Sequence, residues 1–337
     1  MNLPEPSLCS DRLYLFVLGP GKGESVLLRI PPGQWVIIDS FKQEGIAVAH
    51  EVISRYDESV AAMILTHPHE DHCSGFIDLI DLYSEAIIGG VLPGAAGGDE
   101  AFPADAYRAL SKSAIPTFDR ITDAWNVDPH RRWHTYRHSS RLIGDAELVA
   151  LNPVEPVVKS SWRTTHLNEF STAIRVTWNQ VTILLGADIP GQTWQDIGGA
   201  FGDLGNHQGM KVPHHGSKNA FDVSFGAGAR DRLWIITPFK RGLPLKRCGG
   251  GLQQALGFVD QVHLTSLPYR HDCHPDAPCR TTRVELEDGR RPSRVNRQAA
   301  RDGDELEGFV GVSYDAAGNL VDEWFGRGSV CVVEGAQ

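Results

Sequence analysis

Between Ile64 and Gly75 the sequence reads ILTHPHEDHCSG, so His67, His69, Asp71 and His72 follow directly on an apolar run. Imidazole nitrogen and carboxylate oxygen are suitable ligands for zinc and comparable divalent metals. His67 and His69 are two apart, so in an extended segment their side chains point to the same side. Pro68 disfavours a helical backbone at His67, which supports that extended conformation. Asp71 and His72 follow where the chain turns towards a helix. Four ligand-type side chains can therefore converge at one strand end, and the chemistry they suit is metal-assisted.

Three further apolar runs end in residues of the same kind. WVIIDS ends with Asp39, TILLGAD with Asp188, and GMKVPHHGS with His214 and His215. Each is a candidate ligand or orienting acid, and together they describe a single rim of strand ends. Adjacent residues of an extended segment point to opposite sides. The two histidines are therefore expected to have different jobs. His215 is expected as the ligand, and His214 as a group facing the substrate, a hydrogen-bond donor or general acid.

The elements that must position this rim are short apolar runs between turn signals. RLYLFVLG, SVLLRI and WVIIDS read as three successive strands. GIAVAHEVISRY has helical spacing, AAMILT is a buried strand, GFIDLIDLYSEA a helix and IIGGVLP a strand. Residues 95–140 contain one predicted helix, PADAYRALSKSA, and polar loops. Strands resume at AELVALNPV, and TAIRVTWNQVTILLGAD is a hairpin turning at Asn179-Gln180. A short helix, GMKVPHHGS, RLWIITPF, the helix GGLQQALGFV and the strand QVHLTS follow. Hairpins first and βα units later predict an α/β fold of mixed sheets with helices outside. GPGKGES, from Gly19 to Ser25, lacks the Walker spacing and precedes a strand, so it reads as a tight hairpin turn.

Beyond about Leu267 the composition shifts to a His/Cys/Pro-rich loop, an Arg-rich segment and a hairpin-like pattern, GFVGVSYDAAGNLVDEWFG. The expected organisation is a main domain over 1–266 and a C-terminal appendage over 267–337 that tunes the substrate rather than supplying the catalytic metal. His271, Cys273, His274 and Cys279 of HDCHPDAPC could bind a separate structural zinc.

The chain has 337 residues, enough for one large domain or two modest ones, and 41% are hydrophobic, enough for a sizeable core. A formal net charge of −10 argues against a protein that coats nucleic acid or membranes indiscriminately. No apolar run has the length of a bilayer span, and the first residues lack a secretory pattern. Six cysteines without regular spacing suit a reducing compartment. The expectation is a cytoplasmic protein without a membrane partner.

The order IIDS, THPHEDH, GAD and VPHHGS resembles the metallo-β-lactamase fold superfamily, and within it the soluble domain of ComEC-type competence proteins. GPGKGES, NEFS from Asn168 to Ser171, and HHGS from His214 to Ser217 carry the narrower resemblance, which covers roughly residues 10–265. It implies an αβ/βα sandwich of two mixed sheets face to face. It also implies two divalent metal ions, zinc or else manganese. His67 and His69 would serve the first. Asp71, His72 and one histidine of HHGS would serve the second, and Asp188 would bridge them. Asp39 would orient a ligand histidine, and Asn168 and Ser217 would lie beside the metals or the substrate. The Gly-His loop that supplies a further histidine in many members is missing, with Asn168 at the corresponding place and His166 nearby.

Two ions sharing a water make hydrolysis the implied reaction, with Asp71 and His214 as the catalytic side chains. The ComEC resemblance points to phosphodiesters, DNA or RNA. HRRWHTYRHSSR, from His130 to Arg141, mixes basic and aromatic side chains that could hold phosphate and stack bases. FKRGLPLKR and RTTRVELEDGRRPSRVNRQAAR add basic runs. A small-molecule phosphodiesterase or phosphoesterase is the alternative, and a non-catalytic scaffold with a retained metal is the third reading. Lactam hydrolysis is not expected, because the HHGS variant differs from the antibiotic-degrading pattern.

Overall fold

A computed structural model describes residues 8–90, 114–136, 138–154, 167–202, 204–225, 230–239, 250–266, 283–285, 308–326 and 329–333. The chain begins with β1 (Leu13–Leu18), β2 (Ser25–Ile30) and β3 (Gln34–Ile38), then a ribbon of β4 (Lys42–Gln43) and β5 (Ile46–Ala47). Helix α1 (Val48–Ile53), β6 (Ser59–Leu65), α2 (Glu70–Cys73), α3 (Phe76–Leu82) and β7 (Ile87–Gly90) follow. After α4 (Ala114–Val127) come β8 (Arg132–His134), β9 (Ser140–Ile143), β10 (Ala146–Ala150), β11 (Ile174–Trp178) and β12 (Val181–Leu185). The next elements are α5 (Gly191–Phe201), β13 (Gly209–Lys211), β14 (Leu233–Ile236), α6 (Gly251–Phe258) and β15 (Gln261–Leu264). β16 (Arg283–Glu285), β17 (Phe309–Tyr314), β18 (Leu320–Phe325) and β19 (Val330–Val333) close the chain.

Two large mixed sheets result. One has the order β18-β17-β1-β2-β3-β6-β7-β8, the other β16-β19-β15-β14-β13-β12-β11-β10-β9. The inner strands are buried on both faces, and their alternation serves two cores at once, whereas the outer strands β9 and β18 are partly exposed. In β1, Leu13, Leu15 and Val17 face the other sheet, where they meet Ile183, Leu185 and Ile235. Tyr14, Phe16 and Leu18 belong to the core under α1, α3 and α4. On the second sheet, Leu184, Trp234 and Val262 pack under α5 and α6 with Trp194 and Leu256. The α/β sandwich expected from the sequence, with helices on both outer faces, is the observed architecture.

Two expectations change. The stretch after residue 113, expected as loop, is the helix α4. It buries Ala114, Phe118, Ile121 and Trp125 on one face. Pro116 lies in its first turn, where a missing N–H removes no intrahelical bond. The predicted helix at PADAYRALSKSA lies outside the described residues except for its last residue, Ala114, with which α4 opens. The second change concerns the C-terminal stretch, expected as an appendage to 1–266. β17 pairs antiparallel with β1, from Leu13↔Tyr314 to Leu18↔Phe309. β19 pairs antiparallel with β15. These strands extend both sheets and bury Phe309, Val310 and Val312 in the two cores. The predicted hairpin is β17 and β18, but it is part of the sandwich.

The parallel runs β3-β6-β7-β8 and β12-β13-β14-β15 bring several strand carboxyl ends to one edge. Ligands of open α/β sheets gather at such edges. The two sheets are laced there by Thr172 N–H donating to the Thr66 carbonyl at 2.9 Å.

Candidate metal centre

Asp39 stands one residue beyond β3, buried, with φ +57°. Its carboxylate accepts from Thr66 N–H at 2.7 Å, from the Thr66 hydroxyl at 2.6 Å and from His72 Nδ1 at 2.7 Å. The Thr66 hydroxyl has one proton, and it goes to Asp39. The 3.0 Å contact between Thr66 Oγ1 and His67 Nδ1 is therefore donated by the imidazole. Both donations fix tautomers. In the neutral ring, each of His67 and His72 carries its proton on Nδ1 and presents Nε2 with its lone pair.

The loop after β6 is extended as expected, with φ −79° and ψ 148° at His69, where α2 begins. His67 Nε2 lies 3.0 Å from His69 Nδ1. Asp71 and His72 sit on α2, which is tied to the end of β3 by Ser40 N–H donating to the His72 carbonyl at 2.7 Å. Asp188 follows β12 and lies between the histidines. Its carboxylate is 3.8 Å from His67 Nε2, 3.6 Å from His72 Nε2 and 3.6 Å from His215 Nε2. Asp71 Oδ2 is 3.7 Å from His72 Nε2 and 3.3 Å from His215 Nε2.

HHGS departs from the extended conformation assumed in sequence. His214 and His215 have φ of +46° and +52°, and Gly216 follows at +71°. The histidines diverge because this is a tight left-handed turn, not because strand residues alternate. Gly251, at the start of α6, packs against the turn so closely that a Cβ would fall 1.5 Å from the Gly216 carbonyl oxygen. His215 Nδ1 donates to the Thr237 carbonyl at 3.0 Å, which leaves Nε2 facing the carboxylates. His214 Nε2 instead meets Asn168 Nδ2 at 3.3 Å. Ser217 lies in the same turn, where its N–H donates to the His214 carbonyl at 2.8 Å.

The donors sort into groups whose ligand atoms lie within 4.8 Å of one another, including His67–His69–Asp188 and Asp71–His72–His215. His214 belongs to no such group among the described residues. His72 Nε2, His215 Nε2 and Asp188 Oδ1 are buried and have no hydrogen-bond partner. Buried polar atoms are otherwise almost always paired, so a cation is what this donor set fits. Burial depresses His67 far below the usual imidazole value, and depresses His69 and His214 as well. For His72 and His215 burial also opposes the charge, but the surrounding carboxylates, Asp188 foremost, raise both. Burial works against the charges on Asp71 and Asp188 too, yet His72 and His215 hold both carboxylates below their ordinary range. Asp39 is raised, because burial outweighs its bonds to His72 and Thr66.

A cleft of about 500 Å³ opens beside Asp71, lined by Lys22, Phe41, Lys42 and Phe239 among others. Phe239 stacks on His215, ring centroids 5.1 Å apart. Lys22 comes from the Gly-rich turn, which the hairpin of β1 and β2 does contain. That turn also reaches the centre, since Glu24 N–H donates to the Asp71 carbonyl at 2.9 Å. A Cβ on Gly23 would lie 2.4 Å from Cβ of Phe41, so the approach needs glycine. Sequence reading missed Thr66, Glu24, Lys211 and Thr237. Thr66 adjoins the histidine motif, and Glu24 lies within GPGKGES, so both had a local signal.

No described residue of the basic–aromatic run from His130 to Arg141 lines this cleft. Arg131 donates to the Ala86 carbonyl at 2.9 Å, and Trp133 is buried in the core between the sheets. Within FKRGLPLKR only Phe239 is described. His166 and HDCHPDAPC lie outside the described residues, as do all but Arg283–Glu285 of the Arg-rich run. No helix among the described residues is long and apolar enough to cross a membrane.

No curated protein matches the chain. Among solved structures it is similar to the metallo-beta-lactamase fold protein YhfI from Bacillus subtilis, with 13% identity over 74% of this chain and 94% of that one, at a TM-score of 0.40. It is also similar to the MIM-2 metallo-beta-lactamase, with 17% identity over 59% of this chain and 73% of that one, at 0.40. A metallo-beta-lactamase from Cronobacter sakazakii matches with 17% identity over 58% and 74%, at 0.36. The family model for the metallo-beta-lactamase superfamily matches residues 18–218, more than half the chain, a span that holds every residue of the two donor groups. The chain belongs to the metallo-beta-lactamase superfamily.

Proposed function

We propose that this protein is a metal-dependent phosphodiesterase that acts on DNA or RNA in the manner of ComEC-type domains. The observation that carries the hydrolase reading is the pair of donor groups meeting at Asp188, with three buried ligand atoms that lack a partner. His67, His69 and Asp188 would hold one ion, and Asp71, His72, His215 and the shared Asp188 the other. Such ions supply Lewis acidity, which activates water and offsets charge on phosphoryl oxygens. Asp39 keeps His67 and His72 in the ligating tautomer, the former through Thr66. Asn168 Nδ2 donates to His214 Nε2, which puts the ring's proton on Nδ1 and makes that atom the side we assign as donor to a substrate oxygen. Lys22 offers positive charge along the cleft, and Phe239 an aromatic face, while the Lys42 ammonium is paired with Asp78 at 2.9 Å. The Gly-rich turn, NEFS and HHGS support the ComEC-type reading within the family.

Two observations favour a small phosphodiester as the second reading. The cleft, at about 500 Å³, matches a small-molecule site, and Arg131 and Trp133 of the run at 130–141 are taken up by the fold. A metal-supplemented screen separates the readings, using single-stranded and duplex DNA, RNA, cyclic dinucleotides and bis(p-nitrophenyl) phosphate. Wild type is compared with Asp71→Ala. Hydrolysis of strands, lost in the variant, is the expected result. Turnover of small diesters alone selects the second reading, and equal rates in the two proteins refute both.

A further inference from the structure

Two charges are sealed beneath the metal centre. Glu24, in the Gly-rich turn, is 1% exposed, and Lys211, at the end of β13, is 0% exposed. Buried charges persist only when paired and hydrogen-bonded. Here Lys211 Nζ is 2.5 Å from Glu24 Oε1. The second oxygen of Glu24 accepts from the Thr237 hydroxyl at 2.5 Å, and Lys211 also donates to the Ala187 carbonyl at 3.0 Å.

Each of these partners leads to a candidate ligand. The Ala187 carbonyl also accepts from His214 N–H at 2.8 Å. Ala187 has φ +44°, a conformation a β-carbon disfavours, and it directly precedes Asp188. Lys211 thus clamps the strained residue that aims Asp188. Thr237 is the residue whose carbonyl orients His215, and Glu24 Oε2 is itself 3.5 Å from His215 Nδ1. The backbone of Glu24 holds the Asp71 carbonyl. The pair therefore touches supports of Asp71, Asp188 and His215. Among the described residues its hydrogen bonds and ion pairs reach neither His67, which is supported by Thr66 and Asp39, nor His69.

Glu24, Asp188 and His215 also form a donor group of their own. The Lys211 ammonium already sits against that carboxylate, so the cation there is a side chain rather than a third metal.

We propose that Glu24 and Lys211 are a positioning pair that sets the affinity of the metal position built from Asp71, His72 and His215. The proposal rests on the metal-centre reading given above. Rigid support of ligands is worth tenfold to a hundredfold in metal affinity. An ion pair gives that support here without adding net charge to a centre already holding three carboxylates.

The test titrates Zn²⁺ and Co²⁺ into metal-free wild type, E24Q, K211M, K211R and the double variant E24Q/K211M. Calorimetry and the Co²⁺ absorption band report binding, and thermal unfolding of the metal-free proteins reports stability. The single neutralising variants leave one buried group unpaired, so the double variant decides. It should unfold within a few degrees of wild type, and the ion of His67 and His69, which meets the pair's supports through Asp188 alone, should lose the less affinity of the two. The other ion should bind at least tenfold more weakly, with a changed Co²⁺ band. K211R, which keeps the charge but moves the donor, should show the same unequal loss in milder form, and it decides if the double variant does not fold. Wild-type affinity at both positions overturns the proposal, and so does an equal loss at both. Wild type that binds no ion refutes the metal-centre reading itself, an outcome distinct from either.

Discussion

Asp39→Asn separates the architecture of the centre from its metal affinity. The carboxylate accepts three hydrogen bonds, and one of its oxygens takes both the Thr66 hydroxyl and His72 Nδ1. Asparagine keeps one acceptor for Thr66 N–H but puts an amide donor where those two protons point. The imidazole of His72 answers by moving its proton to Nε2, so that Nδ1 can accept. Nε2 is the buried atom that faces Asp71 and Asp188 and has no partner. A protonated Nε2 cannot ligate. The expected loss is ten- to a hundredfold in affinity for one ion, about 1.4–2.8 kcal/mol. Metal-free stability should change far less. Losing charged hydrogen bonds costs about 1.5–3 kcal/mol each, but the buried charge, whose own desolvation raises Asp39, disappears with them. Calorimetric Zn²⁺ titration gives the affinities, and urea unfolding of metal-free protein gives the stabilities. Undiminished affinity in Asp39→Asn would refute the tautomer argument. A collapse of metal-free stability matching the affinity loss would show that Asp39 is only a structural anchor.

His214→Ala should keep both ions and lose roughly two to four orders of magnitude in single-turnover rate, whereas His215→Ala should lose metal by elemental analysis; the opposite pattern reverses the two roles. Asp188→Asn should lower both metal content and turnover, since its carboxylate lies within 3.8 Å of three imidazoles; a full complement of metal in this variant would remove Asp188 from between the ions. The hydrogen bond from His263 holds Glu323 below its ordinary carboxylate value. A lowered folded-state value means stability that is complete above the unfolded value and is lost as pH falls through the folded one. Glu323→Gln should therefore flatten the acid side of the unfolding profile between those values, with denaturant titrations at stepped pH as the measurement, and an unchanged slope would count against the bond.

The sequence determined the parts that depend on near neighbours. Spacing and Pro68 are enough to place His67 and His69 on one side of an extended loop, because backbone geometry over a few residues fixes side-chain direction. Apolar runs ending in Asp39, Asp188 and HHGS are legible for the same reason, as is the hairpin at Asn179-Gln180. Tertiary structure decided what depends on distant partners. β17 and β19 read as an appendage because nothing in a strand's own residues states which edge it will join, and here the edges belong to β1 and β15. The divergence of His214 and His215 comes from a left-handed turn packed under Gly251, a contact that alternation along a strand cannot reveal. Glu24 lies in what reads as a turn, and Lys211 within the run GMKVPHHGS, where nothing marks it. Only the folded chain brings Glu24 to Thr237, 213 residues away, and joins it to Lys211 beneath the metal centre, where two charges excluded from water must find each other.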